Sequence, residues 1–249
     1  MRYFIELSYR GTHYHGWQKQ PNATTVQETL ENALERVLRQ PIELVGSSRT
    51  DTGVHAEQQM AHFDISTPLA LLRPIVRSLN GILPFDIAVQ KIWPVPEGYH
   101  ARFAATHRCY EYRIVTQKNP FLTDLAYFFR PPLNLSAMNE AAALLLQYDD
   151  FECFSKTHTD VKTFICQIEY AYWQITAQGL TFYIKSNRFL RGMVRAIVGS
   201  LLAVGQGKLT VADFEQIILS KNRKKAAAQA PAHGLFLTEV GYENHQLHE

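Results

Sequence analysis

The sequence predicts an α+β fold in two subdomains, each with an antiparallel sheet flanked by helices. Segments with strand and helix periodicity mix without strict β-α-β alternation, and short turns between consecutive strands favour antiparallel pairing. The chain of 249 residues is long enough for one large or two modest domains. A boundary near residues 101–108 leaves strands and at least one helix on each side. We therefore predict subdomains over residues 1–104 and 105–249.

The N-terminal half begins with a predicted strand over residues 3–9, whose odd-numbered side chains are apolar or aromatic and share one face. A helix is predicted over residues 25–38, because a capping-box pattern at its start precedes apolar residues at three- and four-residue spacing. Pro41 ends this pattern. Short strands are predicted near residues 42–45, 60–65 and 87–93.

The C-terminal half repeats this mixture of elements. Its strongest helix pattern runs over residues 190–202 with i, i+3, i+4, i+7 spacing, and Gly205 suits the C′ position after it. A capping-box pattern at residues 210–213 opens a shorter helix. The remaining predictions are a strand at 110–115, a helix at 136–148, and strands at 164–176 and 180–186 joined by a Gln178-Gly179 turn.

Composition excludes several classes of protein. Hydrophobic residues at 46% and charged residues at 19% are typical of a soluble globular protein, and no apolar run approaches the ~18 residues of a membrane span. The first apolar run is broken at Glu6, so we expect no signal peptide and a cytoplasmic protein. The spacing of Cys109, Cys153 and Cys166 fits neither a disulfide framework nor a zinc site, and we expect reduced, buried thiols.

The densest polar cluster covers residues 47–55, between two predicted strands. Ser, Thr, Asp and Gly are turn formers, so an ordinary turn is the simplest interpretation. A loop held between core strands is, however, a common place for a catalytic residue. Asp51 is the only acid in this cluster. A carboxylate can act as a nucleophile when it is positioned and kept ionised, which a nearby arginine would ensure by lowering its pKa.

Two groups of polar residues allow other interpretations, an aspartic-protease tripeptide and a pair of histidines. Asp51-Thr52-Gly53 spells the tripeptide of aspartic proteases, which would need a dyad formed by dimerisation. The polar residues before it, the convincing helices and the absence of a second such tripeptide disfavour a dimeric aspartic protease. His13 and His15 have no cysteine or acidic cluster beside them, so no metal is expected.

Basic residues form a stripe that continues from a predicted strand onto the strongest helix. The net charge is only +2, so any surface that binds nucleic acid must be local. A solvated face is the usual fate of such charges. Arginine beside exposed aromatic rings is also typical of proteins that bind single-stranded RNA, and a catalytically silent RNA-binding module stays open. The basic residues are Lys185, Arg188, Arg191 and Arg195, followed by Lys221 and residues 223–225. The candidate aromatic residues beside them are Tyr14, Trp17, Phe103, Tyr110, Tyr112 and Phe189.

Several motifs follow one another along the chain. They are residues 14–20, the helix at 25–38, Arg49-Thr50-Asp51-Thr52-Gly53-Val54-His55-Ala56, His100-Ala101-Arg102-Phe103, residues 110–112, residues 193–199 and residues 234–237. Each motif is weak alone, but their order along the chain is specific. This ordered set resembles the tRNA pseudouridine synthase A (TruA) family. The resemblance implies two α+β subdomains related by a pseudo-twofold around a central basic cleft. It implies a homodimer, without metal or organic cofactor, that isomerises uridines at positions 38, 39 and 40 of the tRNA anticodon stem-loop.

The resemblance also implies roles for individual residues. Asp51 is implied as the nucleophile that attacks a flipped nucleotide, at either ribose C1′ or uracil C6. Tyr110 is implied to stack on the base and is a candidate general base. Arg195 is implied to form an ion pair with Asp51. Arg49 is implied to help extrude the target nucleotide. The predicted substrate-binding residues are Tyr110 and Arg49, together with Arg188 and Arg191 of the basic stripe.

Three departures from the family pattern accompany these roles. Ser48 and Thr52 stand where the family usually has Gly and Ala, and both are small enough for the loop to keep its shape. Residues 190–192 stand where the family commonly has an aromatic or histidine pair, which leaves the local tRNA contacts open. The implied catalytic residues are unaffected.

Overall fold

The computed structural model describes residues 1–157 and 161–243. Two compact units are present: Met1–Thr106 with the segment that begins at Leu237, and His107–Phe236. The subdomains 1–104 and 105–249 stay a prediction. The compact units differ from them chiefly in that the last part of the chain groups with the first unit.

The first unit is a sheet of antiparallel strands with two helices. Its strand order is β4-β1-β3, with β2 also paired to β3 and the part of β9 that belongs to this unit beside β3. Helix α2 packs against β4 and α1. In chain order the elements are β1 (Arg2–Tyr9), α1 (Val26–Leu38), β2 (Val45–Gly46), β3 (His55–Asp64), α2 (Leu72–Ile82), β4 (Ile87–Val95) and β9 (Leu235–Tyr242).

The second unit is also a sheet with helices. Strand β8 lies between β5 and β7 and is antiparallel to both, and β6 pairs in parallel with β5. Helix α3 packs against α4, α5 and β7. In chain order the elements are β5 (Ala105–Val115), which begins at the junction, β6 (Tyr127–Phe128), α3 (Leu135–Leu144), β7 (Ile168–Thr176), β8 (Gly179–Ser186), α4 (Met193–Gly205) and α5 (Val211–Leu219).

These elements confirm the α+β fold class. In α1, the Thr25 hydroxyl accepts a hydrogen bond from the Glu28 N–H at 3.3 Å, and Leu30 and Leu34 are fully buried. Both hydrogen bonds of the capping box at residues 210–213 are present: the Thr210 side chain accepts from the Asp213 N–H, and the Asp213 side chain accepts from the Thr210 N–H. The three cysteines are free and buried, as predicted. Within the described residues, no helix combines the length and apolarity needed to cross a bilayer.

Helix α4 differs from its prediction at both ends. It begins at Met193, after Gly192 adopts a φ of +71°. The expectation that Gly205 is the C′ residue was wrong, because Gly205 is the last helical residue and Gly207 takes the left-handed φ of +70°. Gly205 instead packs closely on α3: a Cβ there would lie 2.5 Å from Sδ of Met138, so that side chain would have to shift.

The sequence analysis did not predict two elements. Helix α2 contains Pro74 and Gly81, which obscure its pattern, although proline is tolerated in a first turn because the missing N–H has no intrahelical partner. Strand β9 is mostly buried and apolar, so it lacks the alternation that marks a half-buried strand. The strand predicted at 42–45 is reduced to β2, since the Leu44 N–H donates to Oε1 of Glu31 on α1 at 2.9 Å.

Candidate active site

Asp51 lies on a loop between β2 and β3 that the first unit holds by specific bonds. The residue before it, Thr50, is buried, and its hydroxyl lies 2.9 Å from the hydroxyl of Tyr9 at the end of β1. The Thr50 carbonyl accepts a hydrogen bond from the Trp17 N–H at 3.2 Å. Both a side chain and the backbone therefore fix the position from which Asp51 projects.

The residues after Asp51 form a tight turn. The Val54 N–H donates to the Asp51 carbonyl at 3.1 Å, and Gly53 takes a φ of +78° within this turn. The Gly53 N–H donates to the Tyr14 carbonyl at 3.3 Å. Asp51 itself is half-buried and Thr52 is exposed. The loop thus places a carboxylate at the surface of the unit on a backbone that is bonded on both sides.

The base of the loop is fastened to β3. The Ser47 hydroxyl donates to Oε1 of Gln59 at 2.6 Å, and Nε2 of Gln59 donates to the Ser48 carbonyl at 3.0 Å. Ser47 and Gln59 are buried. Ser48 is one of the departures from the family pattern, and it contributes its backbone carbonyl to this anchor. Because every residue has a backbone carbonyl, this hydrogen bond does not depend on the side chain at position 48.

The segment after β1 packs so closely on this loop that only glycine fits. Gly16 has a φ of +86°, and a Cβ there would lie 2.4 Å from the Thr50 carbonyl oxygen. At Gly11 a Cβ would meet the Val54 carbonyl oxygen. The Gly11 N–H donates to Nδ1 of the buried His55 at 3.1 Å. The motif at 14–20 therefore supports the Asp51 loop, a role that the sequence analysis missed because it depends on tertiary contact.

Two aromatic residues that the sequence offered as RNA-contacting rings belong to this support. Trp17 is buried and its ring packs beside the ring of Tyr9, with 6.2 Å between centroids. Tyr14 is buried and its hydroxyl donates to Oδ1 of Asp86 at 2.6 Å. Burial, together with that hydrogen bond, raises the pKa of the Tyr14 phenol. Tyr112 is likewise fully buried, so these three rings are structural.

Arg49 is the exposed cation of the loop. It lies two residues before Asp51, between the anchored Ser48 and the buried Thr50. Its guanidinium is thereby presented to solvent from a fixed backbone, so the first unit carries a carboxylate and an arginine on one short loop.

In the second unit, Tyr110 lies on β5 directly opposite Ile184 of β8. The tyrosine is buried, and its ring meets the ring of Phe189 edge-to-face at 5.1 Å between centroids, with 89° between the planes. Phe189 belongs to the segment that joins β8 to α4. That segment also carries Arg188 and Arg191, so β5 and the β8–α4 connection gather three of the predicted site residues in this unit.

Arg195 lies in the first turns of α4 and is half-buried. Its Nε donates to the Ala230 carbonyl at 2.7 Å, and the Ala230 N–H donates back to the Arg195 carbonyl at 3.0 Å. These two hydrogen bonds fix the orientation of the guanidinium plane. The side chain is thus a positioned cation rather than a member of a solvated stripe.

Arg188 and Arg191 differ in their surroundings. Arg188 is half-buried near the thiol of Cys166: burial raises the pKa of that thiol to about 11, and the charge of Arg188 opposes the shift. Arg191 is exposed, and its carbonyl accepts a hydrogen bond from the Lys156 N–H at 3.0 Å. The substrate-binding roles of both residues stay predictions.

Part of the predicted basic stripe is neutralised within the unit. Lys185 lies 2.8 Å from Oε2 of Glu169, and Lys221 lies 2.6 Å from Oδ2 of Asp150. Arg223 donates to the carbonyls of residues 226 and 227 at 3.3 and 3.2 Å. Lys221 is exposed but paired, and the other exposed basic residues of the later segment are Lys224 and Lys225, which follow an Asn222 turn.

The fold and the Asp51 loop define an α+β protein that presents one fixed carboxylate with an arginine on the same loop. A family model for tRNA pseudouridine synthase matches residues 7–104 and 141–243. A tRNA pseudouridine synthase A of Parabacteroides distasonis is 49% identical over 241 residues, covering 97% of this chain and 96% of that protein. Proteins of the same name from Bacteroides fragilis and Bacillus pumilus are 51% identical over 242 residues and 39% identical over 251. The chain belongs to the tRNA pseudouridine synthase family.

Proposed function

We propose that this protein is a tRNA pseudouridine synthase that isomerises uridine to pseudouridine at positions 38, 39 and 40 of the anticodon stem-loop. Membership of the family, with relatives similar along nearly the whole chain, carries the proposal. The fixed loop around Asp51 supports it from the chemistry: a nucleophile must be held in one position, and Thr50 before this aspartate and Gly53 after it are both hydrogen-bonded within the first unit.

In the proposed reaction the carboxylate of Asp51 attacks the target nucleotide at ribose C1′ or uracil C6. The bond between C1′ and N1 breaks, the uracil turns, and C5 forms a new bond to C1′. The bond between Asp51 and the nucleotide also breaks, which returns the free carboxylate. C5 then loses its proton and N1 gains one, so substrate and product have the same composition. The reaction needs no oxidant and no second substrate, and we propose that it uses neither a metal nor an organic cofactor.

The other site residues have proposed roles around this step. A uridine within a stem is not accessible to a side chain, so Arg49 helps to extrude it, from its exposed place on the Asp51 loop. Tyr110 stacks on the base and its phenol is a candidate to accept the C5 proton. Arg195 pairs with Asp51 and keeps it ionised. Arg188 and Arg191 bind the tRNA backbone.

We also propose the arrangement in which this chemistry takes place. The subdomains 1–104 and 105–249 form the two sides of a central basic cleft, and two chains form a homodimer that grips the tRNA. The protein acts in the cytoplasm. Sedimentation at micromolar concentration tests the homodimer, since a monomer there would contradict it.

Two other functions make different demands on the same residues. A catalytically silent RNA-binding module would keep the basic and aromatic residues without using Asp51. A dimeric aspartic protease would use Asp51 without Tyr110 or Arg195, and membership of the synthase family argues against it.

The deciding experiment maps pseudouridine in unmodified tRNA before and after incubation with the purified protein. We expect new pseudouridine within the anticodon stem-loop. Binding of tRNA without any new pseudouridine would overturn the proposed function in favour of the silent module.

A further inference from the structure

The turn between β4 and β5 contains the motif at residues 100–103, to which the proposed mechanism gives no role. Nδ1 of His100 accepts hydrogen bonds from the N–H groups of Arg102 at 3.1 Å and Phe103 at 3.4 Å. The Ala104 N–H donates to the His100 carbonyl at 2.9 Å. One histidine therefore satisfies three successive N–H groups and fixes the backbone of this turn.

A second histidine holds the turn against the sheet. Nδ1 of the buried His62, near the end of β3, accepts a hydrogen bond from the Ala101 N–H at 3.2 Å. Its ring meets that of His100 edge-to-face at 4.6 Å between centroids. The Ala101 carbonyl accepts from the Tyr242 hydroxyl at 2.7 Å. The turn is thus anchored to β3 and to β9 within the first unit.

This rigid turn presents an aromatic ring to solvent. Phe103 is 77% exposed, its ring centroid lies 4.3 Å from that of His100, and the guanidinium carbon of Arg102 lies 5.8 Å from its centroid. Exposure alone carries no inference, since single exposed apolar side chains are common. Phe85 at 113% and Phe121 at 87% are more exposed, so Phe103 is distinguished by its contacts with His100 and Arg102 and not by its exposure.

We propose that Phe103 is a stacking platform for an unpaired base of the tRNA substrate. The inference rests on the proposed function for the identity of the ligand. Every base has a flat π-face, and an exposed aromatic ring beside an arginine is how proteins bind unpaired nucleotides without reading their sequence. Because His62 and His100 fix the turn before RNA binds, stacking costs little additional ordering of the protein.

The position of Phe103 excludes the target uridine as the base that it contacts. Strand β3 begins at His55, just after the Asp51 loop, and reaches His62 seven residues later. At ~3.3 Å per residue, His55 and His62 are about 23 Å apart along the strand. Phe103 lies at the His62 end, so its base is not the uridine that Asp51 attacks. Phe103 is therefore a binding residue, and its loss is expected to affect KM and not kcat.

A tryptophan at this position reports stacking directly. The three native tryptophans, Trp17, Trp93 and Trp173, are buried, so an exposed tryptophan in Phe103→Trp adds a separate, solvent-accessible emission. We expect titration with an unmodified tRNA transcript to quench this emission. The matched control is Phe85→Trp, whose emission we expect to stay unchanged. Equal quenching of the tryptophan emission in both variants would contradict the proposal that Phe103 stacks on a base. The same holds if the emission changes on dilution of the protein without RNA.

Affinity provides the second measurement. Stacking on one ring changes binding by about 5- to 100-fold, so we expect that loss of tRNA affinity in Phe103→Ala and near-normal affinity in Phe103→Tyr. The salt dependence of binding should stay the same, because the ring carries no charge. Phe85→Ala is the control. Unchanged affinity in Phe103→Ala would refute the inference.

The two proposals fail in distinguishable ways. Wild-type protein that forms pseudouridine while Phe103→Trp shows no quenching contradicts the platform alone. Quenching by tRNA without any pseudouridine from the wild type supports the platform and contradicts the proposed function. The same titration in an Asp51→Asn background separates RNA binding from the reaction itself.

Discussion

The hydroxyl groups of Tyr9 and Thr50 lie 2.9 Å apart in the interior of the first unit. Tyr9 ends β1, and Thr50 directly precedes the candidate nucleophile Asp51. This bond ties the Asp51 loop to the central strands of its sheet, because β1 pairs with both β3 and β4. The position of the carboxylate therefore depends on core packing, and changes in the support of the loop should affect the reaction.

Gly16→Ala tests that dependence. The new Cβ would lie 2.4 Å from the Thr50 carbonyl oxygen, and the residue would have to keep a φ of +86°. We expect the free energy of unfolding to fall by about 1–3 kcal/mol and pseudouridine formation to slow, with tRNA affinity retained. Denaturant unfolding and single-turnover assays measure these effects.

The matched control is Gly81→Ala in α2, where a Cβ meets no atom within 4 Å. Alanine has the higher helix propensity, so this variant should be more stable by about 0.5–1 kcal/mol and fully active. Wild-type activity in Gly16→Ala would mean that the loop does not need this support.

Tyr110→Phe retains the ring and removes the phenol. If the phenol accepts the C5 proton, product formation should slow by on the order of 10²-fold while tRNA affinity stays close to normal. Tyr112→Phe is the neighbouring control, since its hydroxyl donates to the Pro231 carbonyl at 2.8 Å and its loss should cost about 1 kcal/mol of stability without slowing the reaction. Full activity of Tyr110→Phe would restrict that residue to stacking.

The salt dependence of tRNA binding tests the basic segment after α5. Lys224 and Lys225 are exposed, and changing both to Gln should reduce the slope of log affinity against log salt by up to about 2. Lys221→Gln is the control: this ammonium is paired with Asp150 at 2.6 Å, so the slope should stay unchanged. A wild-type slope in the double variant would identify the pair as a solvated face.

Local pattern predicted some parts of this fold and could not predict others. The apolar spacing of α1 and α4 is visible in sequence because each helix buries one stripe of its own side chains. The need for Gly16 arises from contact with Thr50, thirty-four residues away, which no local periodicity encodes. For the same reason Tyr14 and Trp17 looked like RNA-contacting rings, although they are buried supports of the Asp51 loop.

The candidate site shows the same limit. The turn residues at 47–55 were recognisable, and Asp51 stood out as their only acid. The roles of Tyr110 and Arg195 came from the family resemblance and not from spacing, since neither position is distinctive by itself. Sequence spacing could not show the two hydrogen bonds between Arg195 and Ala230, because these residues are thirty-five positions apart in the chain.

His62 gives stability a dependence on pH. Burial, and then the nearby charges of Arg2 and His100, lower the pKa of His62 to about 4, with Asp64 opposing them. In the unfolded chain the pKa is ~6.5, so between these values the unfolded state binds more protons. The contribution of His62 is fully present above about pH 6.5 and declines as the pH falls towards 4, by up to about 3 kcal/mol.

His62→Gln isolates this effect, because the carboxylates that also titrate in that range are common to both proteins. Glutamine keeps an oxygen that can accept the Ala101 N–H. We expect the stability advantage of the wild type over His62→Gln, measured by denaturant unfolding, to shrink as the pH is lowered from 6.5 to 4. An advantage that stays constant across this window would contradict the prediction.

Asp51→Asn is the most direct test of the mechanism. The substitution preserves the size of the side chain and its ability to accept a hydrogen bond, and it removes the negative charge that attacks the nucleotide in the proposed reaction. We expect no detectable pseudouridine, with tRNA affinity within about tenfold of the wild type, because binding is spread over phosphate and stacking contacts. Glu43→Gln, which removes one exposed carboxylate just before the same loop, should remain active and controls for net charge. An Asp51→Asn protein that still converts uridine would show that another group begins the reaction.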